Sequence, residues 1–153
     1  MLQLSRTTLE AMQQHAVDTF PEECGGLLLG YLLEDARNIT LVVTEILPLP
    51  NVRLEARHNR IEIDPLDYVK AERLALKKGL GVWGFYHSHP NAPAIPSEFD
   101  RLHFPFTNWW YPIVSVTATR QPEVRCWKLS PTRDSFSEEI IRLSDTCPTA
   151  STA

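Results

Sequence analysis

The chain has 153 residues, 43% hydrophobic and 22% charged, with a net charge of −4. Such a length suits one compact domain that buries roughly two-thirds of the surface its unfolded form exposes, and the acidic balance argues against a nucleic-acid partner. No apolar run approaches the roughly 20 residues needed to span a bilayer, and the opening stretch MLQLSRTTLEAMQQH is too polar for a signal peptide.

Thr7-x-x-Glu10 reads as a capping box, and Leu9, Met12, Ala16 and Phe20 recur on one helical face, so a helix is expected to about Thr19, stopped by Pro21. Gly25 to Leu33 reads as a buried strand, since three glycines weigh heavily against a helix. A polar turn over residues 34–38 leads to a second strand, Ile39 to Leu47, rich in Val, Ile and Thr. Residues 48–60 read as a loop that re-enters structure near Ile61. Asp64-Pro65 is a cap followed by an N1 proline, and Gly79 ends the helix they open.

Leu80 to His89 follows as a strand, and its period of two puts Trp83, Phe85, His87 and His89 on one face. The prolines between Pro90 and Pro96 demand a loop, after which Ser97 to Asp100 opens a short helix. Tyr111 to Thr119 and Glu123 to Leu129 are two further strands around a turn at Arg120-Gln121-Pro122. A last helix is expected from about Ser135 to Leu143, with Phe136, Ile140 and Leu143 facing inward. The domain is therefore placed at residues 1–144, with a disordered tail at 145–153. The interleaved elements predict a single α/β (α+β) domain, a mixed sheet flanked by helices. Cys24, Cys126 and Cys147 are sparse and form no CxxC pair, as expected of a reduced, cytoplasmic protein.

The chemistry concentrates in Gly84-Phe85-Tyr86-His87-Ser88-His89-Pro90 with Ser97 and Asp100 beyond it. Residues i and i+2 of a strand project to one side about 6.6 Å apart, and two imidazoles so placed can converge on one ion at about 2.0–2.1 Å. Asp100 would make a third ligand, leaving a tetrahedral ion one open position, the mark of a catalytic zinc rather than a structural one. Taken singly, each part has a plainer reading. A His-x-His pair occurs by chance, and Ser97-x-x-Asp100 is itself a helix-capping pattern. Their conjunction is specific.

His87-Ser88-His89 followed at the right spacing by Ser97 and Asp100 resembles the signature of the JAMM (MPN-plus) metalloproteases. Pro21 to Gly30, PEECGGLLLG, resembles the family's glutamate segment, with Gly25 standing where cysteine is frequent. Two glutamates compete for the general base. Glycine spacing selects Glu23, whereas anchoring on Cys24 selects Glu22. The resemblance implies a JAMM/MPN-like, cytidine-deaminase-like architecture and one zinc ion per chain held by His87, His89 and Asp100. It further implies Glu23 as base and Ser97 as a donor to the oxyanion. The activity implied is hydrolysis of a peptide or isopeptide bond after the C-terminus of a ubiquitin-like protein, of which a sulfur carrier is one kind. Neither nucleic acid nor membrane is expected as a partner. The rival reading is a non-catalytic MPN-like interaction scaffold, but such members lose ligands that this chain keeps. RadC-type relatives carry Asn between the histidines, where Ser88 stands here. Ser88 points to the opposite face and reads as structural. Cys24 reads as a buried structural thiol, His103 as a surface or neighbouring residue, and the Trp109-Trp110-Tyr111 rings as core.

Overall fold

A computed structural model describes residues 1–145. Its elements are β1 (Leu2–Ser5), α1 (Arg6–Thr19), β2 (Gly25–Glu34), β3 (Ile39–Leu49), α2 (Pro65–Lys77), β4 (Gly81–Pro90), α3 (Glu98–His103), β5 (Tyr111–Val116), β6 (Glu123–Leu129), β7 (Phe136–Glu139) and β8 (Ile141–Ser144). The strands form one mixed sheet in the order β7-β6-β5-β4-β2-β3-β1-β8. β2 and β4 are antiparallel neighbours at its centre, while β4 and β5 run parallel. Only Ile140 separates β7 from β8, yet these strands occupy opposite ends of the order. The sheet is therefore curled until its two edges meet on segment 136–144.

Two helices cover the two faces. α1 places Met12 and Ala16 against Leu4, Leu28, Tyr86 and Val114. α2 places Ala71 and Ala75 against Leu27, Leu29, Trp109 and Tyr111. Consecutive residues of β4 accordingly alternate, with Tyr86 in the first layer and Phe85 packed against the second. The central strands approach closely where they lack side chains. A Cβ on Gly30 would stand 2.0 Å from the Val42 carbonyl oxygen, beside the point where the β2–β3 register shifts.

Three expectations need correction. The cap of α1 is Ser5, whose Oγ accepts from the Thr8 amide at 3.0 Å, so the Thr7–Glu10 box does not form. The unforeseen strand β1 runs directly into the helix and moves its start forward, and Ser5 supplies the extended backbone a cap requires. β3 continues through Pro48 to Leu49, and residues 50–64 hold no helix or strand, so structure resumes at Pro65 rather than near Ile61, where a Val52 to Glu62 amide bond and the Asn51 side chain tie the loop. The largest departure lies in 135–143, where two strands replace the expected helix. Phe136 does pack inward, but Ile140 is 73% exposed at the crossing between the sheet edges. Backbone pairing with β6 on one side and β1 on the other outweighs an ambiguous local pattern. Of the tail expected to be disordered, 145–153, all but Asp145 lie outside the described residues, Cys147 among them.

Candidate metal centre and its surroundings

His87 and His89 stand at the end of β4, where the strand is held from both sides. His87 registers with Gly25 of β2 and with Ile113 of β5. Between the two histidines, Ser88 turns to the other face, where its Oγ accepts from the Cys24 amide at 2.9 Å and its own amide donates to the Cys24 carbonyl. This pair locks the residue after Glu23 to the residue between the histidines. Ser88 is thus structural in its contacts, as expected.

The two imidazole Nε2 atoms stand 3.0 Å apart. The Asp100 carboxylate faces both, with Oδ1 3.1 Å from His87 Nε2 and Oδ2 3.2 Å from His89 Nε2. All three residues are buried. Asp100 is aimed by a capping box. Ser97 Oγ accepts from the Asp100 amide at 3.1 Å, and the Ser97 amide donates to Asp100 Oδ2 at 2.7 Å. The plain capping reading and the ligand reading of Ser97-x-x-Asp100 are therefore the same geometry, because the cap turns the carboxylate towards the histidines.

His89 Nδ1 lies 2.9 Å from the Pro93 carbonyl oxygen. Only an N–H satisfies that position, which leaves the Nε2 lone pair facing the centre. His87 Nδ1 is buried without a hydrogen-bond partner among the described residues. Its ring is held by packing, stacked on Phe85 at 5.7 Å and edge-on to Phe104 at 5.6 Å. Burial by itself lowers the His87 pKa, but the charge and hydrogen bond of Asp100 outweigh it and raise the group. Burial alone raises Asp100, yet His87, His89 and the Ser97 amide hold its carboxyl well below the usual range. Both shifts have one cause, the mutual attraction of carboxylate and imidazole across this short gap. The separations also approach the roughly 3.3 Å edge of a tetrahedral zinc ligand set. Two nitrogens and a carboxylate at these distances fit a divalent ion.

Glu23 is 6% exposed. Burial pushes its carboxyl up, His87 and His89 pull it down, Asp100 raises it and Arg60 lowers it. Its rival Glu22 turns away, half-exposed, to an ion pair with Arg57 at 3.1 Å. Gly25, the departure from the frequent cysteine, has a local cause: a Cβ there would meet Ile61 Cδ1 at 2.6 Å and the Tyr86 carbonyl oxygen at 2.9 Å. Cys24 is buried and its thiol is pushed up to about 11, chiefly by that burial, which makes it a poor nucleophile. His103 is exposed and stacks on Phe99 at 3.8 Å. Trp109, Trp110 and Tyr111 are all buried.

Two residues near the site carried no signal in the sequence. Asn51 lies in the loop between β3 and α2 and uses its whole side chain there. Its Nδ2 donates to the carbonyls of Glu23 (3.3 Å) and Arg60 (3.0 Å), and its Oδ1 accepts from the amides of Arg53 and Glu62 (both 3.1 Å). The Glu23 amide also donates to the Arg57 carbonyl at 2.7 Å. Arg60 in turn sets its guanidinium 4.3 Å from the Phe99 ring centroid, one residue before Asp100. An asparagine beside a proline reads as an ordinary turn residue, and only the folded loop shows what it holds. A cleft of about 630 Å³ leads to Asp100 from this side, walled by Leu27, Ile61, Phe85, Phe99, Phe106 and Trp109.

Comparison with known proteins bears on this geometry. Residues 5–130 match the family described as prokaryotic homologs of the JAB domain, Prok-JAB. The chain belongs to that family. A Haloferax volcanii protein named "Desampylase" is 33% identical over 77% of this chain and 76% of its own. A Thermus thermophilus protein named "Probable TtuB-protein conjugate cleaving protease" is 33% identical over 65% of this chain, a match spanning 61% of its length. A solution structure of a Desulfitobacterium hafniense protein superposes with a TM-score of 0.81, at 29% identity, covering 95% of this chain and 94% of the other. The mixed sheet flanked by helices is thus the family's architecture, as expected.

Proposed function

We propose that the protein is a zinc-dependent peptidase or isopeptidase that hydrolyses the bond following the C-terminus of a ubiquitin-like protein. The observation that carries this reading is the convergence of His87, His89 and Asp100 with a buried, non-ligating Glu23 beside them. His87 and His89, through Nε2, and Asp100, through its carboxylate, would hold one zinc ion. When bound, the ion supplies Lewis acidity, lowering the pKa of a water towards about 7 and polarising the scissile carbonyl.

The chain's own residues do the rest. Glu23 takes the proton of the attacking water on its carboxylate and delivers it to the leaving amine. Its burial keeps the carboxylate out of bulk water beside the ligand residues. Ser97 Oγ, already accepting from the Asp100 amide, keeps its hydroxyl proton free to donate to the oxyanion of the attacked carbonyl. The apolar cleft receives an extended chain end and sheds water from it. Support for the substrate class comes from the names of two relatives, the Thermus protein being named for cleaving a TtuB-protein conjugate and the Haloferax protein being named a desampylase. A sulfur-carrier protein of ubiquitin-like shape is the candidate.

The test is mass spectrometry of ubiquitin-like carriers bearing C-terminal extensions or lysine-linked conjugates after incubation with the protein. Cleavage is expected immediately after the carrier's terminal glycine and should stop when a chelator is added. Cleavage that persists in chelator removes the zinc mechanism. Intact carriers in every arm, with zinc analytically present, remove the substrate class.

A further inference from the structure

The loop of residues 50–64 presents three arginines near the mouth of the site, and two of them are neutralised. Arg57 pairs with Glu22 at 3.1 Å, and Arg53, which lines the cleft with Glu62, pairs with that glutamate at 3.9 Å. Arg60 has no carboxylate partner among the described residues. Its one side-chain hydrogen bond runs from Nη1 to the adjacent Asn59 carbonyl at 2.6 Å. The remaining guanidinium donors make no hydrogen bond among the described residues.

Its position is nevertheless fixed. The Arg60 carbonyl hangs from the same Asn51 Nδ2 that holds the Glu23 carbonyl, so the stem of this arginine and the backbone of the base are tied to one atom. At the other end, the guanidinium lies over Phe99, next in the chain to Asp100. A half-buried cation without a salt bridge among the described residues is thus stacked on Phe99, on the helix that carries Asp100. A fork of this kind, stacked on a ring with its N–H edge open, is built to take a carboxylate in bidentate fashion.

Resting on the peptidase reading above, we infer that Arg60 is a substrate-anchoring residue, its guanidinium holding a carboxylate that the polypeptide carries close to the bond to be cut. That carboxylate has two sources, the free C-terminus of a residue released by the cut or an acidic side chain flanking the bond. Anchoring acts on substrate affinity and register, whereas the proton transfers stay with Glu23.

The experiment uses the full chain, zinc-loaded, with Glu23→Gln to prevent turnover, and calorimetry on four synthetic peptides. One ends in Gly-Gly-Ala with a free carboxylate, and the second is its C-terminal amide. The third and fourth, both amidated, carry Asp or Asn in place of that Ala. Arg60→Ala in this background should weaken binding of the matching carboxylate peptide about tenfold or more and leave its neutral twin within about twofold. Arg60→Lys should recover part of the loss, and Arg57→Ala should leave both within about twofold. A gain confined to the free C-terminus identifies a released residue, and a gain confined to Asp identifies a side chain. Equal affinity for charged and neutral peptides, or no binding of any, overturns the anchor. Unchanged thermal midpoint and zinc content exclude misfolding of Arg60→Ala. Carboxylate-dependent binding without cleavage by the wild type would sink the peptidase reading and leave the anchor standing. Cleavage by the wild type without carboxylate dependence would do the reverse.

Discussion

The two sides of the site are built by different means. On one side, His87 and His89 ride on a central strand whose backbone pairs with β2 up to His87 and with β5 from His87 to Pro90. On the other, Glu23 lies just before a strand and leans on a loop without regular structure, tied down by the side chain of Asn51 and one amide bond to Arg57. The ladder side distributes its restraint over many bonds, and the loop side concentrates it in a few. A change in the loop should therefore disturb the proton transfer before it disturbs the metal ligands. The pair of histidines should be hard to misplace except by removing them.

Four substitutions break or sharpen this contrast. His89→Ala has the largest expected effect: zinc content falls from about one per chain to near zero, and cleavage becomes undetectable. Elemental analysis beside the cleavage assay checks it, and a fully metallated variant would take His89 out of the ligand set. Glu23→Gln comes next, with zinc retained and turnover reduced about 10²–10⁴-fold. Turnover near the wild-type rate would move the base elsewhere.

Asn51→Ala tests the loop side directly. Its four hydrogen bonds vanish together, which should cost about 1–3 kcal/mol in denaturant unfolding. Turnover should drop by about tenfold while zinc content stays whole. Loss of zinc in step with turnover would mean that the loop supports the ligands as well as the base. Glu22→Gln is expected to do least, less than about twofold in rate and under about 1 kcal/mol in stability, because its ion pair with Arg57 is largely exposed. A deep loss of activity there would reverse the assignment of the two glutamates.

Much of the ligand-bearing side was legible in the chain. The period of two in the strand before Pro90 placed both histidines on one face, and a cap at Ser97 foretold the helix that brings Asp100 back. The preference for Glu23 over Glu22 came from glycine spacing, and the burial of one and exposure of the other agree with it. The misread parts share a cause. β1 is four residues long and depends on β3 and β8 as neighbours. The segment near Ile140 carries apolar residues that suit a helix as well as a strand, and its pairing partners are far away in sequence.

Local spacing by itself determined the histidine pair, the capped aspartate and the core alternation, since these depend on backbone geometry within a few residues. Only the tertiary structure decided how the proposed base is held and what stands beside it. Glu23, Asn51 and Arg60 are brought together by hydrogen bonds across the fold. Arg53 and Arg57 pair with glutamates, whereas Arg60 makes no salt bridge among the described residues and stacks on Phe99. A side-chain amide that joins two distant carbonyls leaves no periodic trace, because its partners are chosen by the folded chain and not by their distance along it.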